Sequence, residues 1–196
     1  ELLTSLRQAL SGSFSVKCRA GFDDPQQIFQ LLPLYEECRL DYLILHPRTV
    51  EQKYAGQADH QLTTEVVQRT GLPVIANGDI NDAEMGQRLL QETGAAGLML
   101  GRGALADPFL FRRIRGELPL QVDEAQRRRE VAEYIGALLP LYLQRFCGER
   151  QALMKLKDLL NFIPDEALQR ELGKLKRATS ADRVAQLLDK LVSETN

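Results

Sequence analysis

Between Phe14 and Gly116, short apolar runs alternate with segments whose apolar residues recur every three or four positions. Ser15–Arg19 reads as a short strand. Pro25–Cys38 reads as a helix, with Pro25 near its first turn and Ile28, Leu31, Leu32 and Tyr35 on one stripe. Asp41–His46 is a second, almost continuously apolar strand, and Leu62–Arg69 a helix ended by Gly71. Leu72–Asn77 is a third strand, followed by a helix over Asp82–Thr93 that Gly94 closes. Ala96–Leu100 and Ala104–Ile114 complete a fourth pair. Near-continuous apolar strands separated by helices, with no hairpin signal between neighbours, specify a parallel sheet covered by helices.

Four such units make half of an eightfold barrel or most of an open doubly wound sheet. All four strand ends carry polar or glycine chemistry: Lys17 and Arg19, His46 and Arg48, Asn77 and Gly78, Gly101–Gly103. A barrel draws on many strand ends, whereas an open sheet concentrates its site at one crevice, so the barrel is favoured. After Gly116 the pattern changes. Leu118–Pro119 marks a junction, and helical patterns follow over Asp123–Phe146, Arg150–Phe162, Pro164–Leu175 and Ser180–Val192. Pro140 is expected to kink or split the first of these. The expected division is residues 1–117, four β/α units, and 118–196, a small all-helical domain.

The 196 residues are 44% apolar and 27% charged, the proportions of an ordinary globular protein. A formal net charge of -2 supplies no global attraction to nucleic acid. Residues 1–120 hold 12 basic and 15 acidic groups, residues 121–196 hold 13 and 12. The second part groups Arg127–Arg129, Lys155 with Lys157, and Lys174 with Lys176 and Arg177, either as a wet helix surface or as a phosphate-facing patch. Three widely spaced cysteines without a CxxC pair read as buried or incidental thiols in a reducing compartment. No apolar run approaches the roughly 18 residues of a membrane span, and the cytoplasm is the expected location.

Lys17 and Arg19 lie two apart on a strand, so both face one way while Cys18 faces the helices. Two adjacent cations need internal carboxylates or an anionic, electron-rich ligand such as a flavin. His46 is either a satisfied structural residue or a donor to a phosphate or flavin edge. Metal ligation is disfavoured, because only His60 accompanies it and no ligand spacing appears. Pro47 and Arg48 are expected to begin a long rim loop through Lys53, Tyr54 and Gly56. Asn77–Gly78–Asp79 and Gly101–Arg102–Gly103 are expected to form two glycine-lined turns whose bare amides bind phosphate, Arg102 adding charge.

These residues carry a resemblance. Val16–Arg19, His46–Arg48 with Gln52–Gly56, Pro73–Ile80, and Gly97–Ala104 with Asp107–Phe109 resemble the tRNA-dihydrouridine synthases, most closely the bacterial C type. The resemblance implies an FMN-binding TIM barrel followed by a helical tRNA-binding domain, with NADPH as reductant and a tRNA uridine as substrate. Lys17 matches the family lysine that contacts the flavin ring, and His46 the histidine near the flavin. Asn77, Gly78, Asp79, Gly101 and Arg102 match cofactor and phosphate-loop positions. Arg19, Arg48, Lys53 and Tyr54 fall where the substrate would face, and Lys155, Lys174 and Lys176 become candidate tRNA contacts.

The family's catalytic cysteine, in an Asn-x-Gly-Cys-Pro-like segment, has no counterpart. Cys18 points outward by strand parity, and Cys38 and Cys147 are expected in helices, so no catalytic acid is assigned. The resemblance therefore implies the C-terminal half of the barrel plus the helical domain, with an amino-terminal barrel half required for activity and the isolated piece inactive. Two other functions fit the same residues: another FMN-dependent TIM-barrel oxidoreductase acting on a small molecule, and a non-catalytic RNA-binding protein.

Overall fold

A computed structural model describes residues 1–193. Its elements are α1 (Leu2–Ala9), β1 (Ser15–Gly21), α2 (Gln27–Glu37), β2 (Tyr42–Thr49), α3 (His60–Arg69), β3 (Val74–Asn77), α4 (Ala83–Thr93), β4 (Gly97–Met99), α5 (Arg102–Ala106), α6 (Leu110–Ile114), α7 (Glu124–Arg145), α8 (Glu149–Leu160), α9 (Gln169–Arg177) and α10 (Ala181–Ser193). No helix among the described residues is long and apolar enough to cross a membrane.

The chain divides into two compact units, Glu1–Gly101 and Arg102–Asn196. The division falls earlier than the compositional change near Leu118. Helices α5 and α6 continue the β/α rhythm in sequence, yet α5 packs on α8, and Arg113 of α6 pairs with Glu130 of α7. Long-range partners decide membership, and sequence rhythm does not encode them.

In the first unit the four strands are parallel and lie in the order β1-β2-β3-β4. This is an α/β fold with a parallel sheet flanked by helices, consistent with part of a β/α barrel. Leu43, Leu45 and Val74 pack against Ile28 and Leu32 of α2 and Val66 of α3. With a two-residue side-chain period, Lys17, Arg19, Ile44, His46, Ile75 and Asn77 lie on the opposite face. Register sets these into transverse rows, Lys17 beside Ile44, Arg19 beside His46, and Ile44 beside Ile75. Cys18 faces α2, where its thiol meets Tyr35.

Helix ends follow local chemistry. Asp59 caps α3 by accepting from the amides of Gln61 and Leu62, and Asp82 caps α4 through the amide of Met85. Gly94 ends α4 in the left-handed region at φ 68°. Ser180 accepts from the amide of Arg183, as expected of a cap.

Some expected boundaries shift. Strand β2 continues through Pro47 and Arg48 to Thr49, so these residues belong to the sheet instead of a rim loop. The burial of Arg48 and a bulge that matches Gly21 to Thr49 carry the ladder onward. The segment Ala104–Ile114 is two short helices, broken where Asp107 accepts from the amide of Phe109 across Pro108. Pro140 lies inside the unbroken α7, because Ile135 and Leu139 before it and Tyr142 after it share one core, which offsets the missing backbone bond. Helix α9 begins at Gln169, after a turn in which Asp165 accepts from the amide of Leu168. Cys147 sits in the turn between α7 and α8, exposed, and Cys38 is a buried C-cap residue.

Candidate functional site

The sheet face opposite α2 and α3 concentrates cations around one neutral histidine. His46 is buried, and its pKa is pushed down to about 4. Burial is the main cause, followed by the positive charges of Arg19, Arg48 and Lys17; Asp79 opposes them. At neutral pH the ring is therefore uncharged.

Arg48, on the same strand, is 2% exposed. Its two terminal nitrogens reach the two oxygens of Asp79, one at 3.2 Å. It also donates to the carbonyl of Gly56, and one terminal nitrogen lies 3.1 Å from His46 Nε2. Such a bidentate, charge-assisted pair fixes the guanidinium plane. Arg48 Nε is buried without a partner, a cost the other bonds offset. Asp79 takes a left-handed conformation at φ 53° and also accepts from the amide of Ala58 at 2.8 Å. Its carboxylate is thus engaged with the protein itself.

Gly78 differs from the open phosphate turn expected of it. Its φ is +121°, and a Cβ there would stand 2.8 Å from His46 Cδ2 and 2.9 Å from the Ala58 side chain. Glycine is needed because the histidine ring occupies that space. The Gly78 carbonyl accepts from His60 Nε2 at 2.9 Å, while Asn77 donates from Nδ2 to the Met99 carbonyl at 2.7 Å, tying β3 to β4. Gly101, after β4, contrasts with Gly78. A Cβ there would meet nothing within 4 Å, so the chain's own packing makes no demand for glycine. Arg102 follows it, exposed, at the start of α5.

Arg19 donates from one nitrogen to the carbonyls of Thr49 and Lys53, at 2.6 and 2.7 Å, and lies 5.7 Å from the Tyr54 ring centroid. It pins the turn after β2 and holds the exposed Tyr54 over it. Lys53 is exposed, at φ 52°. Lys17 is exposed, with no hydrogen bond or ion pair among the described residues. The fold therefore gathers Lys17, Arg19, His46, Arg48, Asn77 and Asp79 on or beside one sheet face.

Lys155, Lys174 and Lys176 lie in the helical unit, Lys155 exposed and 3.4 Å from Asp158. Lys174 and Lys176 occupy the last turn of α9. Arg127 and Arg128 of the basic run are engaged internally, with Asp165 and Glu124 respectively.

Sequence reasoning missed the buried network that builds this unit. Arg113 donates to Asp107 and to both oxygens of Glu130 at 2.6 Å, and Arg127 approaches Asp107 at 3.6 Å. The signal available was an acidic residue, Glu130, on the stripe that Val131 and Ile135 flank. It missed His60 as well, whose place at the start of α3 gave no hint of a partner in the Gly78 turn.

A parallel β/α sheet with one helix-covered face and one cationic face, followed by helices, defines the class of this chain. The dihydrouridine synthase (Dus) family profile matches residues 1–195. The chain belongs to that family. It is 28% identical to tRNA-dihydrouridine synthase B of Shewanella oneidensis, covering 87% of this chain and 53% of that protein. It is 34% identical to the enzyme of the same name from Vibrio parahaemolyticus, covering 76% and 47%, and 35% identical to that of Proteus vulgaris, covering 65% and 42%. The chain spans about half the length of these curated relatives. They carry the B-type name and not the C type expected from the motifs; the family is what the expectation and the comparison share. A solved mandelate oxidase variant aligns with 98% of this chain and 59% of its own, at 17% identity and TM-score 0.36.

Proposed function

We propose that this chain is the C-terminal barrel half and helical domain of an FMN-dependent enzyme that reduces a tRNA uridine to 5,6-dihydrouridine, with NADPH as reductant. Membership of the dihydrouridine synthase family supports the reaction class, and the relatives' B-type names favour that type. The single structural observation that carries the reading is the exposed Lys17, with no hydrogen bond or ion pair among the described residues, on the same sheet face as the neutral His46.

The residues present fit a flavin mononucleotide. Bound there, the flavin supplies hydride to the C5–C6 double bond of the base. Lys17 offers an ammonium to the electron-rich edge of the ring, and His46 a neutral N–H donor that adds no repulsive charge. Gly101 leaves backbone open to an approaching phosphate, with Arg102 contributing charge. Arg19 holds Tyr54 and Lys53 at the rim, where an extruded base would enter. No cysteine of this chain is assigned as the acid. The amino-terminal half of the barrel supplies that group and covers the sheet edges. Lys155, Lys174 and Lys176 contact tRNA phosphates; the exposed pairing of Lys155 with Asp158 is weak enough to yield.

The test is Lys17→Glu in the whole protein. The expected results are at least a tenfold weaker FMN affinity and loss of dihydrouridine from tRNA, with the fold retained by circular dichroism. Unchanged flavin content and unchanged dihydrouridine would refute the reading.

A further inference from the structure

One run of side chains on the sheet face has its proton positions dictated throughout. The Asp79 carboxylate accepts from both terminal nitrogens of Arg48, and one of those nitrogens lies 3.1 Å from His46 Nε2. A guanidinium has donors and no acceptor, so Nε2 must be the accepting nitrogen, and the neutral ring's proton sits on Nδ1. The Gly78 turn closes the same edge of the ring. A Cβ at Gly78 would stand 2.8 Å from Cδ2 and 3.1 Å from Nε2, and Ala58 lies alongside. The Nδ1 edge is left, and it has no hydrogen-bond partner among the described residues.

We infer that Asp79 is a positioning residue that, by clamping Arg48, makes His46 an obligate Nδ1–H donor to an electron-rich acceptor held beside Lys17. The inference deepens the proposed function and rests on it for the identity of that acceptor, the flavin ring edge. It changes the role of Asp79 from cofactor contact to support. The clamp is specific in form. Asp79 takes a left-handed conformation directly after Gly78, which aims the carboxylate back at β2. A second anchor, the amide of Ala58, holds it there. An asparagine would keep the shape but lose one acceptor oxygen and the charge. Arg48 would then keep only its bond to Gly56 at full strength.

The experiment is long-range proton–nitrogen correlation NMR on the full chain. Its two histidines, His46 and His60, are separable by a His46→Gln variant. In the native protein His46 is expected to show a protonated, pyrrole-type Nδ1 and an unprotonated, pyridine-type Nε2. Asp79→Asn should move both nitrogen shifts toward the average of the two tautomers. Arg48→Met should do the same, and it supplies the readout if Asp79→Asn fails to fold. A native Nε2–H form would overturn the inference, as would His46 nitrogen shifts unchanged in either variant. FMN titration of the whole protein separates the two levels. A fixed Nδ1–H form with no FMN binding would sink the proposed function and keep the clamp. Tight FMN binding with an Nε2–H ring would do the reverse.

Discussion

His46 makes the folded protein lose stability as pH falls from 6.5 toward 4, and the size of that loss follows from its surroundings. Its folded pKa is about 4, against 6.5 for an ordinary histidine. Between those values the unfolded chain binds a proton that the native site refuses. The histidine's contribution is therefore fully present above pH 6.5 and is lost progressively as pH drops toward 4. The full difference of about 2.5 units corresponds to a ceiling on the order of 3 kcal/mol, and about 2 kcal/mol should be lost between pH 7.5 and 5. Burial is the leading cause, so salt should move the value little; the Arg19, Arg48 and Lys17 contributions are the screenable part. The assay is urea unfolding at pH 7.5 and 5, followed by far-ultraviolet circular dichroism, on the native protein and His46→Gln. Carboxylates titrate in both proteins, so the difference between the two pH slopes isolates the histidine. A direct proton NMR titration of the His46 ring accompanies it. A midpoint at or above 6.5, or equal slopes in the two proteins, would refute the argument that this ring is held neutral.

Two further outcomes follow from the packing. Glu130→Ala removes both short bonds that the Arg113 guanidinium, 4% exposed, makes to the Glu130 carboxylate, and should cost about 3–5 kcal/mol in urea unfolding. A loss below about 1 kcal/mol would mean that the network is dispensable. Gly78→Ala combines a φ of +121° with a Cβ placed 2.8 Å from the His46 ring; it should cost at least about 1–3 kcal/mol and shift the His46 ring resonances. Wild-type stability with an unmoved His46 spectrum would show that the turn tolerates a side chain.

Much of the β/α architecture was legible because its signals are local. Apolar strands alternate with amphipathic helices, and Asp82, Gly94 and Ser180 act on atoms within a few residues of themselves. Strand parity alone placed Lys17 and Arg19 on one face and Cys18 on the other. What a local pattern could not reveal is who holds whom. His46, Arg48 and Asp79 are brought together by the register of β2 against β3, in which Leu43, Ile44 and Leu45 lie beside Val74, Ile75 and Ala76. Gly78 looked like an open anion turn because a glycine's vacancy reads the same in sequence whether a ligand or a neighbouring ring fills it.

The sequence by itself determined the alternation of four strands with helices, the parallel sheet, the opposite sides of Lys17 and Cys18, and the family; it gave no sign of α1 and read α5 and α6 as one helix. The features it determined depend on periodicity and on residue types, which are written in order along the chain. Only the tertiary structure decided that Asp79 serves Arg48, that Arg19 spends its donors on the Thr49–Lys53 turn, and that α5 and α6 belong with the helices beyond them. Those outcomes turn on which donors meet which acceptors across tens of residues. The energies involved are short-ranged in space, so they are fixed only once the fold has closed.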